Sequence, residues 1–258
     1  LGGELDELVP RLGALLASGQ RRVVLDNTYA TRVSRYPVLR MAHAHGVPVR
    51  CRHMATPIDE AYVNVVLRIL ERYGKLLGPD ELKALAKDDP NLPPPAAMAR
   101  YAASFEPPHL DEGFGAVEEV PFVRRVAPDF TGKGLLLDVD GTLRKTKSGE
   151  LFPRSADDVE LLPGRREKLQ GYVDQGYQLF LVSNQSGIAS ETLTAADAEA
   201  AFARTIELLG LPVTEVVYCP HSAFPVGCFC RKPLPGLGIA LIQKHRLARE
   251  HLMMVGDM

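Results

Sequence analysis

The sequence lacks the features that mark membrane and secreted proteins. None of its 258 residues falls in an apolar window of eighteen or more, the length that a membrane-spanning helix needs. Its first residues lack the basic start, apolar run and cleavage site of a signal peptide. It also lacks an initial methionine, beginning Leu1-Gly2-Gly3, and ends directly after an apolar run. We therefore expect a fragment of a longer protein that does not enter a membrane.

Net charge and cysteine are also low. With 30 basic and 32 acidic residues the net charge is −2, which excludes an overall basic field for nucleic acid or membrane. Locally, seven arginines between Arg21 and Arg52 stand against one acid, and they predict either a solvated face or a groove for phosphates. Only four cysteines occur, three of them within twelve residues. Because a secreted disulfide framework is more evenly spread, this clustering favours a reducing cytoplasmic setting and a metal site.

Strand-like and helix-like segments alternate along both halves, which predicts an α/β fold with parallel sheets. In the first half we expect strands at Arg22–Asp26, Val47–His53 and Val120–Val126, and helices at Leu5–Leu16, Arg35–His45 and Pro57–Tyr73, with a loop over Gly78–Pro95. In the second half we expect strands at Gly134–Asp140, Tyr177–Ser183, Glu215–Cys219 and Leu252–Gly256, and helices at Gly164–Gln175, Ala195–Leu209 and Gly236–His245. Pro, Gly, Asp and Lys gather between Ala127 and Gly134, so we predict two three-layer α/β/α domains, 1–127 and 128–258.

Two carboxylates end the first strand of the second half, in Leu137-Asp138-Val139-Asp140-Gly141-Thr142-Leu143. Alternation along a strand points Asp138 and Asp140 to the same side. Open α/β sheets bind ligands at that end of their strands. This D-x-D-G-T-L run resembles the first motif of the haloacid dehalogenase (HAD) superfamily.

Three further runs follow in the order of that superfamily. Val182-Ser183-Asn184 resembles its second motif, Arg231-Lys232-Pro233 its third, and Val255-Gly256-Asp257 its fourth, so the resemblance spans residues 134 to 258. Only eighteen residues separate Leu143 from Leu162-Pro163-Gly164, too few for a helical cap domain, and we predict an open HAD Rossmann-like domain.

The resemblance implies phosphomonoester hydrolysis through an aspartyl-phosphate. In this interpretation Asp138 attacks phosphorus and Asp140 exchanges a proton with the leaving alcohol and then with water. Ser183 and Lys232 stabilise the phosphoryl oxygens. Mg²⁺ is held by Asp138, Asp257 and the backbone carbonyl of Asp140. The residues expected to contact substrate are Thr142, Asn184 and Arg231.

A cysteine-rich loop follows another predicted strand. Cys219, His221, Cys228 and Cys230 supply three thiols and an imidazole, a set that satisfies tetrahedral zinc. The C-x-C-R-K-P run resembles the zinc loop of heptose bisphosphate and histidinol phosphate phosphatases, a subclass III feature. We expect a structural Zn²⁺ that fixes the loop carrying Arg231 and Lys232.

The first half, over residues 20 to 125, resembles the later part of a polynucleotide kinase domain. The runs that carry this are Val23-Val24-Leu25-Asp26-Asn27-Thr28, Gly46-Val47-Pro48-Val49, Phe105-Glu106-Pro107-Pro108 and Asp111-Glu112-Gly113-Phe114. The resemblance implies that Asp26 and Asn27 face a nucleotide–acceptor cleft, that Arg35 binds acceptor phosphate and that Arg68 acts from a lid over ATP. The sequence holds no P-loop, G-x-x-x-x-G-K-[ST], so we expect no kinase activity from this chain.

Three functions stay open at this point. The first is the 3′-phosphatase half of a nucleic-acid end-healing enzyme, as in bacterial polynucleotide kinase-phosphatases, whose substrate is an end carrying a 3′-phosphate. The second is a small-molecule phosphatase for a sugar bisphosphate or histidinol phosphate, favoured by the zinc loop. The third is a zinc-stapled scaffold without catalysis, which the presence of both Asp138 and Asp140 argues against.

Overall fold

The protein is described by a computed structural model covering residues 4–125 and 129–256. Its residues group into two compact units, Leu1–Ile58 with Ala97–Arg124 and Asp59–Ala96 with Arg125–Met258. The chain therefore passes between units after Ile58, after Ala96 and after Arg124. In the part that the structure describes, no helix has the length and apolarity to cross a membrane.

The first unit contains two parallel strands, with helices before the first strand and between the two strands along the chain. Its elements are α1 (Leu5–Ala17), α2 (Arg32–Ala44), β1 (Arg50–Ala55), α5 (Pro95–Ser104), a 3₁₀ turn (Leu110–Glu112) and β2 (Ala116–Pro121); α3 (Ile58–Tyr73) and α4 (Pro79–Leu85) come between β1 and α5. Strands β1 and β2 pair in parallel, Arg50 opposite Ala116. Apolar residues at helical spacing on α1 (Leu8, Leu12, Leu16) pack on Val38 and Ala42 of α2 and form its core.

The second unit is built on a four-stranded parallel sheet, which confirms the α/β prediction for this part of the chain. Its elements are β3 (Gly132–Leu137), β4 (Arg144–Thr146), a 3₁₀ turn (Ala156–Asp158), β5 (Val159–Leu161), α6 (Arg165–Val173), β6 (Gln178–Asn184), α7 (Ser186–Ala189), α8 (Ala195–Leu209), β7 (Val213–Cys219), α9 (Gly236–His245) and β8 (Leu247–Val255). The strand order is β7-β6-β3-β8. Its central strands β3 and β6 read as continuous apolar runs, as expected of a parallel sheet covered on both faces.

Both faces of this sheet are buried. Alternate residues of β3 and β6, such as Leu135 and Leu181, pack with α6 and α8 on one face. The residues between them, such as Leu136 and Phe180, pack with α9 and the three loop cysteines on the other face. The cysteine loop is therefore part of a hydrophobic layer under the sheet, and its position is tied to the strands that end at the carboxylates.

Residues 59–96 pack with the second unit, which the predicted domain boundary at 127 does not anticipate. Leu76 contacts the apolar layer that contains the cysteines, and the ring of Tyr62 meets that of Phe229 edge-on at 6.3 Å between centroids. A Cβ built on Gly227 would lie only 3.0 Å from Cβ of Pro79. These contacts explain the grouping, because they bury apolar surface of the helical segment against the cysteine loop.

Two local predictions are wrong. The segment over Gly78–Pro95 contains the helix α4, which begins with Pro79 at a first-turn position where the missing N–H costs nothing. Across the described residues of the first unit, Arg22–Asp26 forms no strand, because a strand needs a ladder of backbone bonds to a neighbouring strand and none forms here. The predicted strand over Val120–Val126 forms earlier, as β2, and Val126 lies outside the described residues.

Candidate active site and metal loop

The two carboxylates stand at the carboxyl end of β3, on the central strand of the sheet. The backbone N–H of Asp138 donates to the carbonyl of Val255 at 2.9 Å, so the end of β8 fixes the point where β3 ends. The chain then turns within six residues. Gly141, at φ 83°, adopts the left-handed conformation that glycine tolerates best and donates to the carbonyl of Arg144 at 2.9 Å. This turn holds Asp138 and Asp140 beside each other at the sheet edge.

Asp138 is bound from two sides. The ammonium Nζ of Lys232 pairs with Oδ1 of Asp138 and also donates to the carbonyl of Val182 at 2.8 Å. The hydroxyl of Thr142 donates to Oδ2 of Asp138 at 3.1 Å. The side chains of Asp138 and Lys232 are only 15% and 13% exposed, so the pair lies in a site where charge is weakly screened.

Asp140 has a different set of partners. Nε of Arg144 donates to its Oδ1 at 2.7 Å, and the amide of Gln185 donates to its Oδ2 at 3.1 Å. Arg144 is itself almost fully buried. Both oxygens of this carboxylate therefore accept hydrogen bonds from side chains that the sequence interpretation does not include.

The second predicted motif lies at the carboxyl end of β6, next to β3. Ser183 is buried, and its Oγ accepts from the Gln185 amide at 2.8 Å. Asn184 holds the backbone of Lys232: its amide donates to the Lys232 carbonyl at 3.1 Å, and its Oδ1 accepts from the Lys232 N–H at 3.0 Å. Asn184 thus fixes the segment that carries the lysine, while direct contact of Asn184 with substrate stays a prediction.

Arg231 and Asp257 complete the predicted set. The Nη1 atom of Arg231 is buried and has no hydrogen-bond partner in the described part of the chain. A buried guanidinium donor without a partner is costly and is satisfied by an anion. Asp257 lies outside the described residues.

The donor set at the sheet edge suits a hard cation. Asp138 and the backbone carbonyl of Asp140 offer oxygen ligands, the class that Mg²⁺ prefers. Each of the two carboxylates already faces one cation, Lys232 for Asp138 and Arg144 for Asp140. A cation held by these oxygen ligands, together with the ammonium of Lys232, would place positive charge where a phosphoryl group is bound and stabilised.

The cysteine loop brings four metal-binding side chains together. The ligand atoms of Cys219, His221, Cys228 and Cys230 all lie within 4.8 Å of one another. The sulfur–sulfur distances are 3.2 to 3.6 Å, and Nδ1 of His221 lies 3.2 Å from Sγ of Cys230 and 3.5 Å from Sγ of Cys219. A tetrahedral zinc with bonds of about 2.3 Å separates its sulfurs by about 3.8 Å, so the residues fit this ion.

The three thiols form no disulfide and hydrogen-bond to one another. Hydrogen bonds from Cys219 and Cys230 lower the pKa of the Cys228 thiol to about 2, and the hydrogen bond with Cys228 raises the pKa of Cys219 to about 11. The lowered pKa of Cys228 favours its thiolate, the form that binds metal.

Comparison with known proteins assigns residues 134–258, the larger part of the second unit. Residues 134–258 match the family described as polynucleotide kinase 3 phosphatase. Over 128 residues, 48% of this chain and 71% of the relative, the sequence is 32% identical to the D-glycero-beta-D-manno-heptose-1,7-bisphosphate 7-phosphatase of Pseudomonas putida. The chain belongs to the HAD-type phosphatases.

Two solved structures align with this HAD-type phosphatase at low TM-scores. The crystal structure of D,D-heptose 1,7-bisphosphate phosphatase from B. bronchiseptica, complexed with magnesium and phosphate, aligns over 48% of this chain and 70% of its own at 29% identity and a TM-score of 0.43. The structure of the Pnkp1/Rnl/Hen1 RNA repair complex covers 98% of this chain and 79% of its own at 17% identity and a TM-score of 0.31.

The candidate kinase residues of the HAD-type phosphatase chain belong to two parts of the fold, Asp26, Asn27 and Arg35 to the first unit and Arg68 to the second. Asp26 and Asn27 are exposed and line a cavity of about 980 Å³ in the first unit, together with arginines of the basic stretch (Arg21, Arg22, Arg35, Arg50, Arg52). Arg68 belongs to residues 59–96, and its Nη1 donates to the carbonyl of Asn91 at 2.5 Å. The roles of Asp26, Asn27 and Arg68 stay predictions.

Arg35 is held by the protein itself. Its guanidinium makes a bidentate pair with Glu112 at 2.7 and 2.9 Å and donates to the carbonyls of Tyr29 and Glu106, both at 2.9 Å. Arg35 and Glu112 are each only 5% exposed, an arrangement typical of an arginine that holds the fold together. Binding of acceptor phosphate by Arg35 stays a prediction, since these four hydrogen bonds already use four of the five N–H donors of the guanidinium.

Sequence reasoning missed Arg144 and Gln185. Both stand directly beside recognised motifs, Arg144 two residues after Thr142 and Gln185 one after Asn184. The signal for Arg144 is an arginine four residues after Asp140, and its partner Thr205 is 61 residues further on. No local pattern predicts that second contact.

Proposed function

We propose that this protein is a Mg²⁺-dependent phosphomonoester hydrolase that works through an aspartyl-phosphate, and that its substrate is a nucleic-acid end carrying a 3′-phosphate. The observation that carries the hydrolase proposal is the paired Asp138 and Lys232 at the end of β3, with Ser183 on the neighbouring strand. A nucleophile beside a fixed cation and hydroxyl donors is the arrangement that phosphoryl transfer needs.

In the first step an oxygen of Asp138 attacks phosphorus and the bond from phosphorus to the leaving oxygen breaks. Asp140 gives that oxygen its proton, so the product leaves as an alcohol. In the second step Asp140 takes a proton from water, which attacks the aspartyl-phosphate and releases inorganic phosphate. Lys232, Ser183 and Arg231 stabilise the charge on the phosphoryl oxygens in both steps.

We assign Mg²⁺ to Asp138, the carbonyl of Asp140 and Asp257. When bound, the cation neutralises charge on the phosphoryl group and draws the reacting groups together. We assign a structural Zn²⁺ to Cys219, His221, Cys228 and Cys230, because four protein ligands leave no open position for chemistry. ATP is a cofactor only of a complete kinase domain.

Two observations support a large substrate. Between β3 and α6 the described chain forms only the antiparallel hairpin of β4 and β5, with Arg144 opposite Leu161, and a 3₁₀ turn. The site is therefore not covered by an inserted helical domain, and a phosphate on the end of a polymer has room to enter. The matched family is described as a 3 phosphatase of polynucleotide kinase, which supports the same substrate class.

The second candidate is a small-molecule phosphatase for a sugar bisphosphate or histidinol phosphate. It is favoured by the 32% identity to a heptose-1,7-bisphosphate 7-phosphatase and by the cysteine loop. In this case the partnerless Nη1 of Arg231 would bind a second phosphate of the small substrate.

Phosphate release decides between them. The full-length protein is assayed with Mg²⁺ on a 3′-phosphorylated oligonucleotide, a heptose bisphosphate and histidinol phosphate. We expect preference for the oligonucleotide, and a preference for the heptose bisphosphate would replace the first candidate by the second. Asp138→Asn should abolish release because no other group forms the acyl-phosphate, while the exposed Asp174→Asn should behave as the parent. Retained turnover in Asp138→Asn would refute the mechanism.

We place the protein in the cytoplasm, since its four cysteines are free and a reducing compartment keeps them so. The domains we propose are a kinase-like part before residue 128 and a phosphatase part from 128, with residues 59–96 packed on the latter.

A further inference from the structure

We propose that Gln185 and Arg144 are positioning residues for proton transfer: together they fix both oxygens of Asp140, and Gln185 also orients the hydroxyl of Ser183. This inference rests on the proposed function, in which Asp140 exchanges the proton and Ser183 binds the phosphoryl group. It is carried by a chain of hydrogen bonds from Thr205 through Arg144, Asp140 and Gln185 to Ser183.

Arg144 is the most firmly held residue in this series of hydrogen bonds. It is 1% exposed, and its guanidinium donates to Oδ1 of Asp140 at 2.7 Å and to Oγ1 of Thr205 at 2.9 Å. Its guanidinium carbon lies 5.0 Å from the centre of the Phe202 ring, so α8 supports it on a second side. A buried guanidinium always keeps its charge and needs hydrogen-bond acceptors. Oδ1 of Asp140 is such an acceptor whether or not Oδ2 carries a proton, so the carboxyl group is held at a fixed angle.

The backbone around Arg144 is equally restrained. The N–H of Arg144 donates to the carbonyl of Val139 at 3.0 Å, and its carbonyl accepts from Gly141 at 2.9 Å. The side chain therefore starts from a closed turn that contains Asp140 itself. Rotation of the Asp140 carboxylate would break the bond to Arg144 within this turn.

Gln185 is the link between the two functional groups. Its side chain is buried, and the same amide nitrogen donates to Oδ2 of Asp140 at 3.1 Å and to Oγ of Ser183 at 2.8 Å. The two amide hydrogens are thus both used. Since Oγ of Ser183 accepts from Gln185, the hydrogen of the Ser183 hydroxyl points away from the amide and is left to donate to a phosphoryl oxygen.

The two oxygens of Asp140 are consequently not equivalent. Oδ1 faces a charged donor that is buried and supported by α8, whereas Oδ2 faces a neutral amide at a longer distance. We assign the transferred proton to Oδ2, because the weaker bond is the one that gives way. The proton passes from Oδ2 to the leaving oxygen as its bond to phosphorus breaks and the bond from Asp138 to phosphorus forms.

A leaving-group comparison separates this role from a structural one. A nitrophenolate leaves without a proton, while an alkoxide needs one. A variant in which Asp140 is misplaced should therefore lose much of its kcat on the alkyl ester and little of its kcat on the nitrophenyl ester. We expect Gln185→Met to lower kcat on the alkyl ester about 10- to 100-fold more than on p-nitrophenyl phosphate, a fraction of the effect of a complete acid. The alkyl ester is the 3′-phosphorylated oligonucleotide, or the sugar phosphate if that is the better substrate.

Arg144→Lys keeps the charge but replaces the guanidinium, which bonds Asp140 and Thr205 through different nitrogens, by a single ammonium group, and it should shift the same ratio in the same direction. It also keeps the test decisive if Gln185→Met does not fold. The control is Gln175→Met, an exposed glutamine in the turn after α6, which should leave the ratio unchanged.

Equal losses on both esters, or none, in folded Gln185→Met and Arg144→Lys would overturn the inference while leaving the hydrolase proposal in place. Failure of the parent to release phosphate from either ester, or activity in Asp138→Asn, would instead refute the proposed function. The two failures are therefore distinguished by the parent and Asp138→Asn controls in the same assay.

Discussion

Replacing Cys228 by serine should reduce zinc content, stability and turnover together. A structural zinc contributes about 10 to 16 kcal/mol of apparent binding free energy, so removal of one ligand from a set of four costs roughly 3 kcal/mol. For a unit of this size that free energy corresponds to a fall in Tm of about 6 to 12 °C. Turnover should fall as well, because Cys230 is two residues from Lys232 and the loop sets where the lysine lies.

The chain provides a matched control for this test. Cys51 lies on β1 and is not one of the four metal-binding residues, so Cys51→Ser makes the same chemical change without removing a ligand. Zinc per chain is measured by metal analysis after gel filtration, beside thermal unfolding and phosphate release. We expect Cys51→Ser to match the parent. A parent that carries no zinc, or a Cys228→Ser variant that keeps zinc and Tm, would refute the structural metal site.

Further changes test the packing around both sites. Gly227→Ala should lower Tm and speed the loss of zinc to a chelator, at a cost of about 1 to 2 kcal/mol, because its Cβ would lie 3.0 Å from Pro79. Gly171→Ala in α6 is the control: its Cβ would meet nothing within 4 Å, so it should raise Tm slightly. Equal effects of the two substitutions on Tm would refute the packing of α4 against Gly227. Burial alone would raise the pKa of Glu112, but hydrogen bonds from Arg35 bring that pKa below its usual 4.5. The pair therefore contributes stability that is fully present above about pH 5 and is lost as pH falls through the lowered pKa. In urea unfolding, the free energy of unfolding of the parent should exceed that of Glu112→Gln at neutral pH, and this difference should shrink below pH 4.5. A difference that stays constant down to about pH 3 would refute this role of the pair.

Much of the fold of the second unit is predictable from sequence. Its four strands and three long helices lie within a few residues of the predictions, since β3 and β6 contain continuous apolar runs and α8 has apolar residues at helical spacing. Helix α9 matches Gly236–His245 at both ends. The hairpin of β4 and β5 escapes prediction because three-residue strands are too short for a pattern to register.

Predictions fail where a segment depends on contacts far away in sequence. Arg22–Asp26 has strand composition but no strand to pair with in the described part of the first unit. Residues 59–96 carry no signal that they pack on a loop beginning at Cys219. Both outcomes depend on long-range partners, which single-segment patterns do not contain.

The candidate site shows the same division. Asp138 and Ser183 stand at the ends of two predicted strands, and the family resemblance adds Lys232 to them; in the structure β3 and β6 are neighbours and Lys232 pairs with Asp138. It does not distinguish residues that touch substrate from residues that hold the others in place. Asn184, expected at the substrate, binds the backbone of Lys232, and Arg35, expected at a phosphate, is paired with Glu112.

The chain crosses between its two units three times, and this determines where it can be cut to express the phosphatase part separately. A single cut near residue 127 would remove residues 59–96 from the phosphatase part. Leu76, Tyr62 and Pro79 would be lost with them, so the apolar surface that they cover on the cysteine loop would face water. Such a fragment is expected to aggregate or to lose metal. A soluble, separately expressed phosphatase therefore has to carry the helical segment with it, for example as a second peptide supplied in trans.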